Sequence, residues 1–502
     1  MKKELAIICG SVAICCSAAP QPAVAFRFDD NHTVRIWETL ASVFRKHDAR
    51  FSASIIPYWN NDIKKSDWCQ KICQLESEGF EIMDHTPQHT TITVTLPKDD
   101  PRLEKLKTAP FVDHINNGKV CLKYSPSISK YSEPFTVRIF DRNKVSSTSK
   151  MARRMNLEID GKHYYLAPTA KQDVFQLLTI WNENNVNLPD GEKSARRCLG
   201  ERFELTDGGY DFLIECSQDG FRRIGLKKMP QVWIQPGGYY PHLGFEKLSA
   251  ALRKHNYLSA SCAQNISMKG FADPDFENSR FSMRWGDFNL EKLSLDIPKT
   301  RIANNVALRK VSICSSHVSP ERKFGKLKEY AAVYDQLLPW LKQNNIKVMT
   351  QSELAVHLRD TKIDPNENVM PSLANDIDGN NLPDGYYLSR GSKWDKAGKF
   401  VVLKGKGTLL KVTELCGLPR GKVKLQLENK GSFSGNVSVQ LIDSQKKPCA
   451  APAVLSLNGK NADWKKYEMQ LNIPADCAAL NLVIQSNQPA NCNFRNFDLR
   501  GF

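Results

Sequence analysis

Hydrophobic residues in the early part of the chain follow two different periods in turn. The runs AVAFRFDD, FSASIIP and FEIMDH are short and apolar, as buried strands are. Between the first two runs, Trp37, Leu40 and Phe44 recur at helical spacing. Between the last two, SDWCQKICQLESEG predicts a helix with Ser66 as N-cap and Gly79 as its stop. Strands and helices that alternate at such short intervals predict a parallel α/β sheet or barrel.

The pattern changes between residues 98 and 229. LEIDGKHYYLA predicts a hairpin that turns at Asp160-Gly161, and FLIECSQDGFRRIGL predicts another that turns at Asp219-Gly220. Between them, KQDVFQLLTIWNENN predicts a lone amphipathic helix. We therefore expect a mostly β subdomain inserted into the α/β unit. Because it would leave just after the third strand and return into a later strand, we expect it to lie over the edge where those strands end.

The alternation of strands and helices resumes after residue 229. QVWIQPGG predicts a strand and a turn, GFEKLSAALRKHN predicts a helix, and YLSASC, RFSMRWGDF and VSICSSH predict further strands. RKFGKLKEYAAVYDQLLPWLKQNN predicts a long helix, and IKVMT followed by SELAVHLRD closes the unit near Asp360. The α/β unit is therefore predicted over residues 20–360, with the insertion inside it.

The last part of the chain has a third pattern. Residues 361–374 are polar and predict a linker. Over residues 375–502, strand-like runs follow one another with no convincing helix, among them FVVLKG, KVKLQLEN, NVSVQLID, YEMQLNIP and LNLVIQS. This spacing predicts an antiparallel β-sandwich. In pattern, this part resembles the β-sandwich carbohydrate-binding modules appended to secreted glycan enzymes.

The first residues, 1–19, have the features of a secretory signal peptide. Lys2 and Lys3 precede an apolar run, Leu5–Cys16, that is too short to span a bilayer and is followed by small residues. A later small-residue site at Ala23–Ala25 is disfavoured, because cleavage there would remove the start of the first strand. We expect a protein exported to the periplasm, the cell envelope or the medium, and find no other segment apolar enough for a transmembrane helix.

Charge and composition add little to this picture. The chain has 502 residues, which is too long for one ordinary core, and a formal net charge of +16. The basic residues are scattered, which fits a solvated basic surface or attraction to an anionic cell-wall polymer, glycan or membrane. No helix-turn-helix, zinc-finger or RNA-binding signature accompanies the charge, so nucleic acid is not an expected partner.

The candidate chemistry lies at the predicted strand ends. His85 and His89, in EIMDHTPQHTT, follow the third strand, and Asp29 and Asp30 end the first. Zinc accepts imidazole and carboxylate ligands, yet a histidine pair by itself also fits an ordinary surface or cap. In parallel α/β folds the strand ends open onto one face. Adjacent carboxylates there are costly unless a cation or proton offsets them, which favours a metal site with one carboxylate as ligand and the other facing water.

The motif pair FRFDD and HTPQH resembles the first two motifs of the polysaccharide deacetylases of the NodB-homology type, carbohydrate esterase family four. The resemblance covers about residues 22–360 apart from the insertion. It implies a distorted (β/α) barrel and metal-dependent removal of acetyl groups from sugars. Carried over residue by residue, it implies Asp30, His85 and His89 as ligands of a divalent metal, with zinc as the expected ion, and Asp29 as the general base.

The later motifs of this family match less closely. In WIQPGGYYP, Gln235 stands near the place of the family's third-motif arginine, which orients the base. The following turn, with Gly238 and Tyr239, is a candidate oxyanion and substrate contact through its backbone N–H groups. In SSHVS, the resemblance implies His317 as the general acid. Trp233 and Trp285, the latter in RWGDF, are further candidate substrate contacts.

These inferences predict an exported, metal-dependent deacetylase that removes N- or O-acetyl groups from a carbohydrate polymer of the cell wall or the environment. Two alternatives stay open. One is a C–N amide hydrolase that acts on a small molecule, although the leader and the carbohydrate-binding-like tail argue against it. The other is a non-catalytic glycan-binding protein, if the altered later motifs mean lost catalysis. The sequence does not determine the glycan or the oligomeric state.

A second metal question arises in ANDIDGNNLPDGYYL. Asp376, Asp378, Asn380 and Asp384 alternate like positions 1, 3, 5 and 9 of a calcium loop. Asn381 stands where such a loop has a glycine, and no terminal glutamate follows. The sequence therefore leaves open a Ca²⁺ site or an Asx-rich turn without a metal.

Overall fold

The computed structural model describes residues 21–146, 156–171, 173–200, 202–236, 242–243, 245–262, 283–287, 295–316, 318, 327–361, 363–443 and 447–502. The predicted leader, the turn with Gly238 and Tyr239, and His317 lie outside the described residues.

A curled parallel sheet forms the centre of the α/β unit. Its strands are β1 (Ala23–Asp29), β2 (Ser52–Ile55), β3 (Glu81–Asp84), β16 (Val232–Gln235), β18 (Ser259–Cys262), β19 (Met283–Asp287), β20 (Val311–Ser316) and β21 (Lys347–Met349). They lie in the order β18-β16-β3-β2-β1-β20-β19, and β21 pairs with the first half of β1. Every residue of β1 is buried, as expected for a central strand covered on both faces.

Helices cover this sheet. They are α1 (Val34–Lys46), α2 (Ser66–Ser77), α4 (Asp207–Ile224), α5 (Phe245–Lys254), α6 (Asp296–Ala307), α7 (Leu327–Gln343) and α8 (Gln351–Asp360). The Thr33 side chain caps α1 by accepting from the Ile36 N–H, and Trp37, Leu40 and Phe44 form its buried face. Phe44 packs edge-on against Phe28, with ring centroids 6.1 Å apart, in an aromatic core between sheet and helices.

The insertion is a β-rich unit. A short helix, α3 (Arg102–Leu106), accompanies a small sheet of β4 (Thr93–Thr95), β5 (Val112–Asn116) and β6 (Lys119–Leu122). The following strands are β7 (Tyr124–Ser127), β8 (Lys130–Tyr131), β9 (Phe135–Phe140), β10 (Lys144–Ser146), β11 (Asn156–Ile159), β12 (Lys162–Pro168), β13 (Val174–Leu178), β14 (Gly191–Leu199) and β15 (Arg202–Leu205). In the order β11-β12-β13-β10-β9-β14, the sheet closes into a small barrel because β14 also pairs with β11.

The insertion is tied to the edge of the sheet where the parallel strands end. A short strand that follows β16, β17 (His242–Leu243), pairs in parallel with β15. The predicted hairpin at Asp160-Gly161 is confirmed as β11–β12, and both turn residues have positive φ.

Two predicted elements of this region are wrong. KQDVFQLLTIWNENN contains strand β13, not a helix, because Phe175 and Leu177, two positions apart, both face the interior of the small barrel. The predicted hairpin at Asp219-Gly220 is the middle of helix α4. There Gly220 allows close packing, since a Cβ on it would lie 2.6 Å from Pro57 Cβ. In a smaller difference, Ser66 is the first residue of α2, whose N-cap is Lys65.

The C-terminal part is an antiparallel, nearly closed β structure. Its strands are β22 (Tyr387–Leu388), β23 (Lys393–Asp395), β24 (Phe400–Gly405), β25 (Leu409–Leu415), β26 (Gly421–Asp443), β27 (Ala453–Ile473), β28 (Cys477–Ser486) and β29 (Ala490–Gly501). The long strand β26 pairs with β29 along its first half and with β28 along its second, so it joins the two ends of this one sheet around the core. KVKLQLEN and NVSVQLID are thus one bent strand.

The predicted fold class is confirmed: a curled α/β sheet with a β-rich insertion, followed by an antiparallel β module. Among the described residues, no helix has the length and hydropathy needed to span a bilayer.

Candidate metal centre

The carboxyl ends of neighbouring parallel strands bring polar side chains together. Asp29 is the last residue of β1 and Asp84 the last of β3, and β2 lies between these strands in register with both. Gln235 ends β16, which pairs with β3. The residues that follow β1 and β3 therefore meet above one edge of the sheet, as expected for a parallel α/β fold.

Asp30, His85 and His89 converge at this edge. Asp30 Oδ1 lies 3.4 Å from His85 Nε2 and 3.3 Å from His89 Nε2. The histidine rings are 4.8 Å apart between centroids and nearly perpendicular, at 79°. The ligand-type atoms of these residues all lie within 4.8 Å of one another, which is the separation expected around one small cation.

The backbone is bent to achieve this arrangement. Asp30 has φ 71°, Thr86 φ 67° and His89 φ 58°, all in the left-handed region that non-glycine residues rarely occupy. Such conformations cost free energy and persist where the surroundings fix them, often at functional sites. Here they turn the chain sharply at the strand ends, so that side chains from separate loops face a common point.

The protonation pattern of His85 fits a metal ligand. Its Nδ1 lies 2.9 Å from the Ile234 carbonyl oxygen, which can only accept, so Nδ1 carries a proton and Nε2, which faces Asp30, is the nitrogen available to a metal ion. Desolvation acts to lower the pKa of this buried histidine, but the contact with Asp30 and the charges of Asp29 and Asp30 outweigh it and raise the pKa. This negative surrounding favours a cation at the site, and a ring N–H bound to a carbonyl is the usual support of a ligating histidine.

Asp84 supports the turn that carries the histidines. Its carboxylate accepts hydrogen bonds from the Thr86 N–H at 2.9 Å and from the hydroxyls of Ser217 and Tyr257. Burial raises the pKa of Asp84 to about 6, while the bonds from Ser217 and Tyr257 act in the opposite direction. Asp84 was not predicted as a site residue, although its position just before His85 at a strand end is visible in the sequence.

Arg27 is a further residue beside the candidate site that was not predicted from the sequence. Its Nε lies 2.8 Å from Asp29 Oδ1, its Nη2 donates to Asp29 Oδ2 at 2.8 Å, and both side chains are fully buried. The two residues share a strand face because they are two positions apart in β1. The guanidinium of Arg27, from β1, thus orients Asp29. Gln235, which stands near the place of the third-motif arginine, instead accepts a hydrogen bond from Trp233 Nε1 at 3.3 Å. The alternation of side chains along the predicted strand FRFDD could have placed Arg27 and Asp29 on the same face.

The other predicted site residues have different placements. Trp233 is fully buried in the core, in contrast to the expectation that its ring contacts substrate. Trp285 lies in β19 and pairs with Ile313 of the neighbouring strand β20. The described part of Trp285 is its backbone, so its role as a substrate contact stays a prediction. Gly238, Tyr239 and His317 lie outside the described residues, so their roles stay predictions.

The candidate calcium ligands make separate polar contacts. Asp376 pairs with Lys396 Nζ at 3.1 Å, and Asp378 accepts from the Asn380 side chain at 2.8 Å. Asp384 accepts from the Ile377 N–H at 2.7 Å, and burial, with the charges of Asp378 and Asp376, raises its pKa to about 6. Within the described residues, these carboxylates are not among the groups that converge as possible metal ligands, so the Ca²⁺ site stays a prediction.

Comparison with known proteins gives similarity to solved structures alone: no protein-family model and no curated protein matches the chain. The Bc1960 peptidoglycan N-acetylglucosamine deacetylase aligns with 11% sequence identity and a TM-score of 0.30. The alignment covers 67% of this chain and 89% of that chain. A BA3943 mutant, described as a CE4 family pseudoenzyme with restored activity, matches with 7% identity, 67% of this chain, 69% of its own and a TM-score of 0.29.

The C-terminal part matches carbohydrate-binding modules. A family 16 carbohydrate-binding module aligns with 16% identity over 23% of this chain and 84% of its own, with a TM-score of 0.18. At these identities and scores the likenesses concern the fold, and the candidate roles of individual residues rest on the side-chain geometry described above.

Proposed function

We propose that the protein is a metal-dependent hydrolase that removes acetyl groups from a carbohydrate polymer. The observation that carries this proposal is the convergence of Asp30, His85 and His89 beside the buried Arg27–Asp29 pair. A carboxylate oxygen and imidazole nitrogens are a donor set that suits zinc. The substrate class comes from the resemblance of FRFDD and HTPQH to the deacetylase motifs.

In this proposal each residue has a separate task. A divalent ion held by Asp30, His85 and His89 would lower the pKa of a water molecule and polarise the acetyl carbonyl. Asp29 accepts the proton of the attacking water, and Arg27 keeps its carboxylate oriented. His317, which directly follows β20, donates a proton to the departing amine or alcohol.

The test is a screen for acetate release from acetylated glycans, including chitin, peptidoglycan and xylan, with the zinc-loaded full chain. We expect at least one of these polymers to release acetate. In His85→Ala/His89→Ala, we expect this activity to be lost and the metal content to fall by one ion per chain. If the chain binds metal and glycan but releases no acetate from any of these polymers, the result would favour a non-catalytic glycan-binding protein. Turnover restricted to small amides would favour a C–N amide hydrolase that acts on a small molecule.

A matched variant separates the base from the ligands. Asp29→Asn keeps the shape and loses the proton acceptor, so we expect turnover to fall by roughly 100- to 10,000-fold with metal content unchanged. Glu38→Gln, on the outer face of α1, serves as a control with normal turnover. Full activity of Asp29→Asn would remove this residue from the mechanism.

We also propose that the C-terminal module contacts the same polymer and that the leader directs export. A cavity of about 580 Å³ between this module and residues 368–374 is lined in part by Gln426, Glu428 and Lys466, polar side chains of the kind that bind sugar hydroxyls. We expect Lys466→Ala to weaken retention on insoluble substrate without changing turnover of a short acetylated oligosaccharide. Export is tested by N-terminal sequencing of the mature protein.

A further inference from the structure

A second group of metal-type ligands lies in the insertion, away from the strand ends that form the first site. His114 of β5 and Cys121 of β6 are directly paired across this antiparallel hairpin. Glu183, in the loop after β13, places Oε2 3.0 Å from His114 Nε2 and Oε1 3.6 Å from Cys121 Sγ. One nitrogen, one sulfur and one oxygen thus lie within 4.8 Å of one another.

The loop that carries Glu183 is folded onto the hairpin. The Thr179 N–H donates to the Glu183 carbonyl at 3.0 Å, and the Glu183 N–H donates to Thr179 Oγ1 at 3.1 Å, which closes a tight turn. Trp181 Nε1 donates to the Leu122 carbonyl at 3.3 Å, and Lys119 Nζ donates to the Trp181 carbonyl. The Thr179–Glu183 turn and the contacts of Trp181 with the hairpin therefore hold Glu183 next to His114 and Cys121.

The surroundings of these side chains match those of a bound cation. Cys121 is fully buried and Glu183 is 8% exposed, so the carboxylate is largely removed from water. His114 Nδ1 lies 2.7 Å from Asp113 Oδ2, which leaves Nε2 directed at Glu183 and is the usual carboxylate support of a metal-binding histidine. Lys119 Nζ is 3.9 Å from Glu183 Oε1 and supplies some positive charge, but at a longer distance than His114.

We propose that His114, Cys121 and Glu183 bind a second divalent metal ion, of the zinc class, that joins the β5–β6 hairpin to the small barrel of the insertion. Thiolate, imidazole and carboxylate together suit zinc, and water completes a tetrahedral shell of three protein ligands. Binding forms a metal–sulfur bond at Cys121 and releases the thiol proton to solvent. The site is independent of the proposed deacetylase function.

Cobalt titration of the full chain tests this proposal, because a thiolate bound to Co²⁺ gives a near-ultraviolet charge-transfer absorption. Asp30, His85 and His89 contain no sulfur, so the first site cannot produce this band. We expect the band in the native chain and in His85→Ala/His89→Ala, and its loss in Cys121→Ser with one metal fewer per chain. Cys492→Ser, which alters a buried thiol of the C-terminal core, is the matched control and should keep the band.

A second variant protects the test against misfolding. His114 is partly exposed, so His114→Ala removes a ligand without disturbing the core, and we expect at least a tenfold weaker zinc affinity together with a smaller zinc-induced rise in melting temperature. Absence of the cobalt band from the folded native chain would overturn the proposal. So would a band that persists in Cys121→Ser, or a zinc affinity of His114→Ala equal to that of the native chain.

Discussion

At the scale of single residues, the contact between Arg27 and Asp29 orients the proposed base of the candidate site. Both side chains are fully buried, and two contacts of 2.8 Å join them. The charge-assisted hydrogen bond from Arg27 Nη2 to Asp29 Oδ2, with Nε close to Oδ1, fixes the orientation of the carboxylate as well as its charge. Because Asp29 adjoins the candidate ligand Asp30, a rotation of its carboxylate would also move the proposed base away from the candidate metal site.

Removal of Arg27 should therefore destabilise the protein. We expect Arg27→Met to lower the free energy of unfolding by about 3–5 kcal/mol, since breaking a buried ion pair leaves its partner charge in the core. Arg27→Met/Asp29→Asn should cost less than the sum of the single changes. Denaturant unfolding of the metal-free variants measures this, and strict additivity would show that the pair does not act as a unit.

The positioning role of Arg27 has its own signature. Arg27→Lys keeps the charge but loses the paired geometry, so we expect kcat to fall while KM and metal content stay near their native values. A change confined to KM, or a loss of metal, would instead point to a structural role.

At the scale of elements, an ion network joins α1 to α2. Glu38 lies 2.9 Å from Arg45 and also pairs with Lys71, and Arg45 lies 2.8 Å from Glu78. The hydrogen bonds from Arg45, and next from Lys71, lower the pKa of Glu38 to about 2. The Glu38 side chain is 47% exposed, so water and salt screen much of this stabilisation.

We expect Glu38→Gln to lower the free energy of unfolding at pH 7 by no more than about 1 kcal/mol. Because folding depresses the pKa of Glu38, its contribution is complete above the ordinary value of 4.5 and is lost as the pH falls toward about 2. The difference between native and variant should therefore shrink from pH 7 to pH 3, and in high salt. A difference that stays constant with pH would exclude this network as its cause.

Helix α4 contacts the segment that follows β2 through a glycine. A Cβ at Gly220 would lie 2.6 Å from Pro57 Cβ and 2.9 Å from Tyr58 Cε2. Helix propensity favours alanine over glycine by about 1 kcal/mol, but overpacking against the rigid proline ring costs about 1–3 kcal/mol. The expected net effect of Gly220→Ala is a lower melting temperature. Arg222→Ala, on the exposed face of the same helix, should change it little, and a stabilised Gly220→Ala would contradict the close contact.

At the scale of the whole molecule, the C-terminal module is joined to the α/β unit around the end of α6. Lys310 Nζ lies 3.0 Å from Glu414 Oε2 with the lysine fully buried, and the Cys416 N–H donates to the Leu308 carbonyl at 3.1 Å. Nearby, Arg309 pairs with Glu367 at 2.9 Å. The buried pair is the more expensive of these contacts to break, because neither charge can recover full hydration.

We expect Glu414→Gln to destabilise the chain by about 3–5 kcal/mol and to separate the unfolding of the two parts, visible as a second calorimetric transition. Lys310→Met/Glu414→Gln should restore part of the loss. Glu367→Gln is the control, since its carboxylate is 28% exposed and should cost less. Equal losses in Glu414→Gln and Glu367→Gln would show that burial of Lys310 does not govern the junction.

The periodic and local features of the chain could be predicted from its sequence. Short apolar runs and amphipathic helices defined the parallel sheet, and strand ends marked by FRFDD and HTPQH placed Asp30, His85 and His89 on a common edge. The hairpin at Asp160-Gly161 followed from turn chemistry, because both positions need positive φ. These features depend on neighbours in sequence, or on the rule that parallel strands end at one edge.

Tertiary contacts decided the rest. Asp219-Gly220 has the composition of a turn, but Pro57 requires a glycine in the middle of α4, and β13 is a strand because a closed barrel buries its apolar residues. The pairing of Glu183 with His114 and Cys121 depends on a loop more than sixty positions away in the chain. The sequence by itself determined where strands end and which candidate ligands stand there. Only the packed structure decided which distant groups meet, because burial and close contact override local preference.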